Sequence, residues 1–201
     1  MGFAQAKHSG PWTIEHVGPW TIEDVEALPD NGDHARYELL TTGVLTVSPA
    51  PGTPHQRASR NLANLLDTTV PTDLEVLEAV NVEIPGGRLC QPDIVVVEAA
   101  FADTEPVRYP PHMVRLVVEI VSPNSHPQDR IIKPQLYAAA GIPVYWRFEL
   151  EKTPRIIVSE LRRGRYVQVA VAASGDRTVV DRPFLVEVDP AELVRRMRPT
   201  C

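Results

Sequence analysis

The stretch Leu116-Val117-Val118-Glu119-Ile120-Val121 sets one carboxylate inside an otherwise apolar run. A continuous apolar run of this kind suits a central strand buried on both faces. Alternation along a strand puts Val117, Glu119 and Val121 on the same face. Two readings compete. Glu119 faces water from an edge strand, or it lies in the core against a partner. Burying a lone carboxylate costs on the order of several kcal/mol, so the second reading requires a counter-charge or a bound cation. The apolar neighbours of Glu119 on its own face favour that second reading.

Upstream, Gln91-Pro92-Asp93 opens another β-branched run, Ile94–Val97. Pro-Asp before such a run is also an ordinary turn. The pairing carries more information than either residue. If the two strands are neighbours, Asp93 and Glu119 converge, and two carboxylates suit a hard cation. Magnesium takes one or two carboxylates together with waters and a substrate phosphate, and Mn²⁺ is a substitute. No Cys/His spacing competes with this reading. The two cysteines, Cys90 and Cys201, are too few for a disulfide framework.

Downstream, residues 128–140 read as a helix with Gly141 placed to cap its C-terminus. Asp129, Lys133 and Tyr137 recur every four residues and share one side. Ile132, Leu136, Ala139 and Ala140 form the apolar stripe. Asp129 falls about 35° and Lys133 about 75° from its centre, at the boundary between helix and sheet. A surface Asp–Lys pair is the plainer alternative. Pro134 removes a helical hydrogen bond, so the regular helix is expected to begin near Lys133, with Asp129 in the loop before it.

The remaining chain alternates strands and helices. Residues 37–40 and 44–48 flank Thr41-Thr42-Gly43 as a hairpin, and Thr53-Pro54 reads as an N-cap and first turn of a helix running to about Asp67. Residues 74–77, 79–84, 144–148, 156–161 and 166–171 read as further strands, and 190–197 as a closing helix. Hairpins mixed with a strand–helix–strand unit indicate an α/β (α+β) domain with a mixed sheet. Before it, GPWTIEHV (10–17) and GPWTIEDV (18–25) form a tandem repeat. Two short copies do not make a solenoid. Residues 1–20 are therefore expected to be a mobile extension and 21–201 the domain, with Thr21 and Asp24 as a capping box.

Composition narrows the class. The chain has 201 residues, 43% hydrophobic and 23% charged, with 26 acidic against 20 basic side chains and a net charge of −6. That balance argues against broad non-specific binding to a phosphate backbone, though not against a local basic groove. No run of about 18 apolar residues is present, and the N-terminus lacks the apolar core of a signal peptide. A cytoplasmic, membrane-free protein is expected.

Taken in order, Pro92-Asp93, Val118-Glu119-Ile120-Val121-Ser122-Pro123, Asp129-Arg130 with Lys133, Tyr137, and Ala140-Gly141-Ile142-Pro143-Val144-Tyr145-Trp146 resemble the Uma-two family within the PD-(D/E)XK nuclease superfamily. Residues 21–29, Tyr37-Glu38-Leu39 and His55-Gln56 match the earlier part of the same pattern. The resemblance implies a restriction-endonuclease-like mixed sheet flanked by helices. It implies a magnesium-dependent endonuclease that cleaves DNA phosphodiesters. Asp93 and Glu119 are then the metal-binding acids, with Glu38 a further metal or water ligand. The lysine expected two residues after Glu119 is replaced by Val121, which points to Lys133 as the catalytic base-side residue, positioned by Asp129. His55 and Gln56 have supporting roles at a helix N-terminus, and Tyr137 packs with a hydrogen-bonding tip. A homodimer is expected because two symmetric sites cut two strands most simply. The alternatives are an inactive nuclease-fold module that binds DNA or a protein partner, and a phosphoesterase for a small substrate. The acidic turn expected after Tyr-Glu-Leu is replaced by Thr41-Thr42-Gly43.

Overall fold

A computed structural model describes residues 14, 16–28, 35–121 and 127–196, with side chains from residue 130 in the last segment. Helix α1 (Ile22–Glu26) starts at a capping box: the Asp24 amide donates to Thr21 Oγ1, and the Thr21 amide donates back to Asp24 Oδ2. Strands β1 (Arg36–Thr41) and β2 (Val44–Ser48) form the expected hairpin, followed by α2 (Thr53–Asp67). Next come β3 (Leu74–Glu78), β4 (Asn81–Ile84), β5 (Arg88–Cys90), β6 (Ile94–Glu98), the short α3 (Ala99–Ala102), β7 (Arg108–Tyr109) and β8 (Val114–Val121). The chain continues with α4 (Pro127–Ala139), β9 (Val144–Glu149), β10 (Arg155–Arg162), β11 (Arg165–Ala173), β12 (Thr178–Val180), β13 (Val186–Val188) and α5 (Pro190–Leu193).

Two mixed sheets carry the fold. One has the strand order β11-β10-β9-β8-β6-β3 and the other β2-β1-β5-β4-β7, with β12 and β13 as a separate ribbon. In the larger sheet β8 and β9 are parallel, joined through α4, while the other pairs are antiparallel. The β-branched runs of β6 and β8 lie at its centre and are buried on both faces, as continuous apolar strands require.

One face of this sheet packs Ile94, Leu116, Val118, Trp146 and Phe148 against Ala58, Leu62 and Leu66 of α2. The opposite face meets the second sheet and α4. Val95, Val97, Val117 and Tyr145 pack there with Leu40, Val82, Ile84 and Cys90, and with Leu136 and Tyr137. A smaller core seats Ile22 and Val25 of α1 on Leu39 and Leu89.

Four local expectations are corrected. Gly52, not Thr53, is the N-cap of α2, without a side-chain cap, and Pro54 lies in the first turn. The strand expected over 79–84 begins only at Asn81, because Ala79 takes φ of 53° and turns the chain from one sheet into the other. Helix α4 runs unbroken through Pro134, since burial of Leu136, Tyr137 and Ala138 outweighs one lost hydrogen bond. The closing helix is one turn, capped by Asp189 Oδ1 accepting from the Ala191 amide at 2.8 Å. No described helix is long and apolar enough to cross a membrane. Most of the first repeat copy lies outside the described residues. The second copy is built in, with the Trp20 amide donating to the Gly43 carbonyl at 3.0 Å.

Candidate active site

Strands β6 and β8 are neighbours, in a register that sets Ile94 opposite Val118. Asp93, just before β6, therefore sits level with the C-terminal half of β8. The Ile120 amide donates to Asp93 Oδ2 at 2.6 Å. Glu119 is not on an edge: β8 lies between β6 and β9, and the residue is 7% exposed. Its carboxylate points to the face covered by α4, where the Tyr137 hydroxyl donates to Oε1 at 2.6 Å.

Lys133, one turn before Tyr137 on α4, is 4% exposed. Its Nζ lies 3.3 Å from Glu119 Oε1 and 2.9 Å from Glu38 Oε1. Glu38 comes from β1 of the other sheet, 2% exposed, and its Oε1 also accepts from the Gln91 amide at 2.8 Å. One ammonium thus joins both sheets and the helix.

Asp93 has its own nitrogen partners. Arg36 Nη2 lies 2.5 Å and His55 Nε2 3.2 Å from Oδ1. Arg36 is two residues before Glu38 on β1, so both project from the same face of that strand. The structure therefore brings together Asp93, Glu119, Lys133, Glu38, Tyr137 and His55. Gln56 is exposed and stands outside this cluster, and the side chain of Asp129 lies outside the described residues.

Two participants escaped the sequence reading. Arg36 reads as an ordinary charge at the start of a strand; its alternation with Glu38 was the signal that could have found it. Arg147 is the cross-strand neighbour of Glu119 on β9, 29% exposed at its side chain. Only the parallel register reveals it.

The electrostatics follow from burial. Burial opposes charge on Asp93, but His55, Arg36 and the Ile120 amide overcome it and hold the carboxyl down at about 2. Burial pushes the Glu119 carboxyl up to about 7; Asp93 and Glu38 add to the rise, while Lys133 and Tyr137 oppose it. Burial disfavours the Lys133 charge too, yet Glu119 and Glu38 outweigh it and raise the ammonium above the ordinary lysine value. Lys133 is therefore charged at neutral pH.

Asp93 and Glu119 each keep a carboxylate oxygen with no aligned hydrogen bond among the described residues. Asp93 Oδ1 is buried and has no aligned hydrogen bond despite its ion pairs. Both contacts of Glu119 fall on Oε1, leaving Oε2 without one among the described residues. Two carboxylates are the donor type that magnesium takes, with water and phosphate supplying the rest. Glu38 stands beside this pair on the adjoining sheet. Its bonded oxygen serves Lys133 and Gln91.

The fold and this geometry can be set beside known proteins. A solved chain titled as a "putative nuclease belonging to DUF820" from Anabaena variabilis ATCC 29413 is similar, with a TM-score of 0.67 and 13% identity, covering 88% of this chain and 98% of that one. At that identity the likeness shows a shared fold. No curated protein matches the chain. Residues 22–191 match the family Uma2, described as "Putative restriction endonuclease". That match takes in both sheets and every member of the buried acid–base cluster, and the chain belongs to the Uma2 family.

Proposed function

We propose that the protein is a divalent-metal-dependent endonuclease that hydrolyses DNA phosphodiesters. The observation that carries this reading is the buried Lys133 ammonium held between Glu38 and Glu119, with Asp93 on the adjacent strand. Burying three carboxylates and an ammonium together is a poor way to stabilise a fold, since apolar side chains of the same size do as well or better. Clusters of this kind at the end of central strands are more often retained for chemistry.

In this reading Asp93 and Glu119 hold Mg²⁺, with Mn²⁺ as a substitute. The cation supplies Lewis-acid stabilisation of charge developing on the phosphate oxygens. Asp93 is kept ionised for that task by its cationic neighbours. Glu119 is oriented by the Tyr137 hydroxyl, which fixes one oxygen and leaves the other for binding. Lys133 is charged, so its part is to orient the attacking water and offset transition-state charge rather than to take a proton. Glu38 positions Lys133, and His55 braces Asp93.

The test is plasmid cleavage by wild type, Glu119→Gln and Lys133→Ala, with Mg²⁺, Mn²⁺ or excess chelator. Metal-dependent cleavage that is lost in both folded variants is expected. A wild type that folds, binds no metal and cuts neither DNA nor a model nucleotide diester would instead be a non-catalytic module.

A further inference from the structure

Arg36 is the one full cation of the cluster to which the proposed chemistry gives no task beyond keeping Asp93 ionised. Its guanidinium reaches Asp93 Oδ1 at 2.5 Å, nearer than His55. The Asp93 side chain is 1% exposed and that of Arg36 17%. The contact is thus shielded on the acid's side, while the arginine, and His55 beside it, keep a partly exposed edge. Asp93 Oδ2 already accepts from the Ile120 amide, whereas the buried Oδ1 accepts no aligned hydrogen bond and is the freer oxygen for a further ligand. Arg36 stands on that oxygen. Lys133 differs, because it sits on Oε1 of Glu119 and leaves Oε2 open.

We propose that Arg36 is the resident counter-cation of Asp93, a positioning residue that occupies the cation's place on Oδ1 and must leave it when a divalent ion loads. The inference rests on the metal-dependent reading above. Its physical basis is exclusion at one oxygen: a guanidinium 2.5 Å from Oδ1 and a metal ion on the same atom repel each other at close range in a site shielded from water. Without metal, the arrangement keeps a buried carboxylate neutralised, which prevents the large cost of an unpaired buried charge. With metal, Arg36 swings outward, where its exposed edge already lies. Apparent affinity for the ion is the intrinsic affinity multiplied by the fraction of molecules in which Arg36 has vacated Oδ1.

The experiment is Mn²⁺ titration of the full chain without DNA, followed by calorimetry, for wild type, Arg36→Gln, Arg36→Lys and Asp93→Asn. Arg36→Gln removes the competing charge and is expected to bind Mn²⁺ about tenfold or more tightly than wild type. Arg36→Lys keeps a charge but loses the planar fork, and about threefold tighter binding is expected. Asp93→Asn is expected to lose the ion. A role for Arg36 limited to holding the fold would weaken Mn²⁺ binding in both arginine variants. Unchanged or weaker binding in folded Arg36→Gln overturns the inference and leaves the nuclease reading intact. Should Arg36→Gln fail to fold, Arg36→Lys decides by the same criterion. Absence of Mn²⁺ binding in every protein overturns the metal-dependent reading and this inference with it.

Discussion

At the scale of single residues, the site is a balance of buried charges, and removing one exposes the others. Lys133→Met would strand Glu38 and Glu119 in an enclosed place. Breaking one partner of a buried ion pair costs about 3–5 kcal/mol, and that loss is expected in urea denaturation at pH 8. At pH 5 the stranded Glu119 carboxyl takes up a proton, so the loss should shrink. A penalty equal at both pH values would mean that Lys133 does not neutralise these acids. The wild type has its own pH signature. Glu119 is raised to about 7 by burial, above its unfolded value, so the folded state holds a proton that the unfolded chain releases. Its contribution to stability is full below the unfolded value and fades as pH rises through about 7. Asp93, held down at about 2, acts oppositely: its contribution is present above the unfolded value and disappears only as pH falls through about 2. Between pH 5 and 8 the Glu119 effect should therefore dominate. Denaturation of Glu119→Gln across that range should show a flatter stability profile than wild type.

At the scale of elements, each charged side chain is placed by a strand or helix whose reason for existing is apolar. Glu119 was legible because Val117, Val118, Ile120 and Val121 leave it no exposed face, and β8 is indeed central. Lys133 was legible as a boundary residue of a helix, although the helix passes through Pro134 instead of starting there. Arg36 carried only a faint signal, its alternation with Glu38, and Arg147 carried none, because its place depends on which strands pair, and pairing is set by contacts far apart in sequence. The short strands β5, β7, β12 and β13 hold two or three residues each, too few to show any period. A helix can also be tied down by one polar side chain. Asn61 of α2 donates through Nδ2 to the carbonyls of Leu193, at 2.7 Å, and Arg195, at 3.1 Å, fastening α5 to the core. Asn61→Ala leaves those carbonyls unpaired and should cost about 1–3 kcal/mol in urea denaturation. Mn²⁺ affinity should not change, because Asn61 makes no contact with the acid cluster. A parallel loss of affinity would mean that α5 supports the site.

At the scale of the whole molecule, the proposed nuclease reading must reconcile a net charge of −6 with a polyanionic substrate. The fold does so locally. On the face of the larger sheet that carries Glu119, the parallel register brings Arg147 alongside it, and one strand further Arg155 pairs with Glu149. Glu149 is shared between the two arginines, at 3.0 Å from Arg147 Nε and 2.6 Å from Arg155 Nε, so two cations stand against one buried acid. Arg130 on α4 reaches Glu151 at 3.5 Å nearby. On the proposed nuclease reading, such a patch would contact a few phosphates rather than wrap a duplex. Each phosphate neutralised contributes about 0.9 to the slope of log affinity against log salt for duplex DNA. A slope of about −2 to −3 is then expected, well short of a protein with a long basic track. Arg155→Ala, more than half exposed and outside the acid cluster, should lower the slope's magnitude by about 1 and weaken binding equally for all sequences. Fluorescence anisotropy of a labelled duplex with Ca²⁺, titrated at several salt concentrations, measures both quantities. A slope that Arg155→Ala leaves unchanged would place the phosphate contacts on another face, and the opening of the site would then have to be sought around β1 and Arg36.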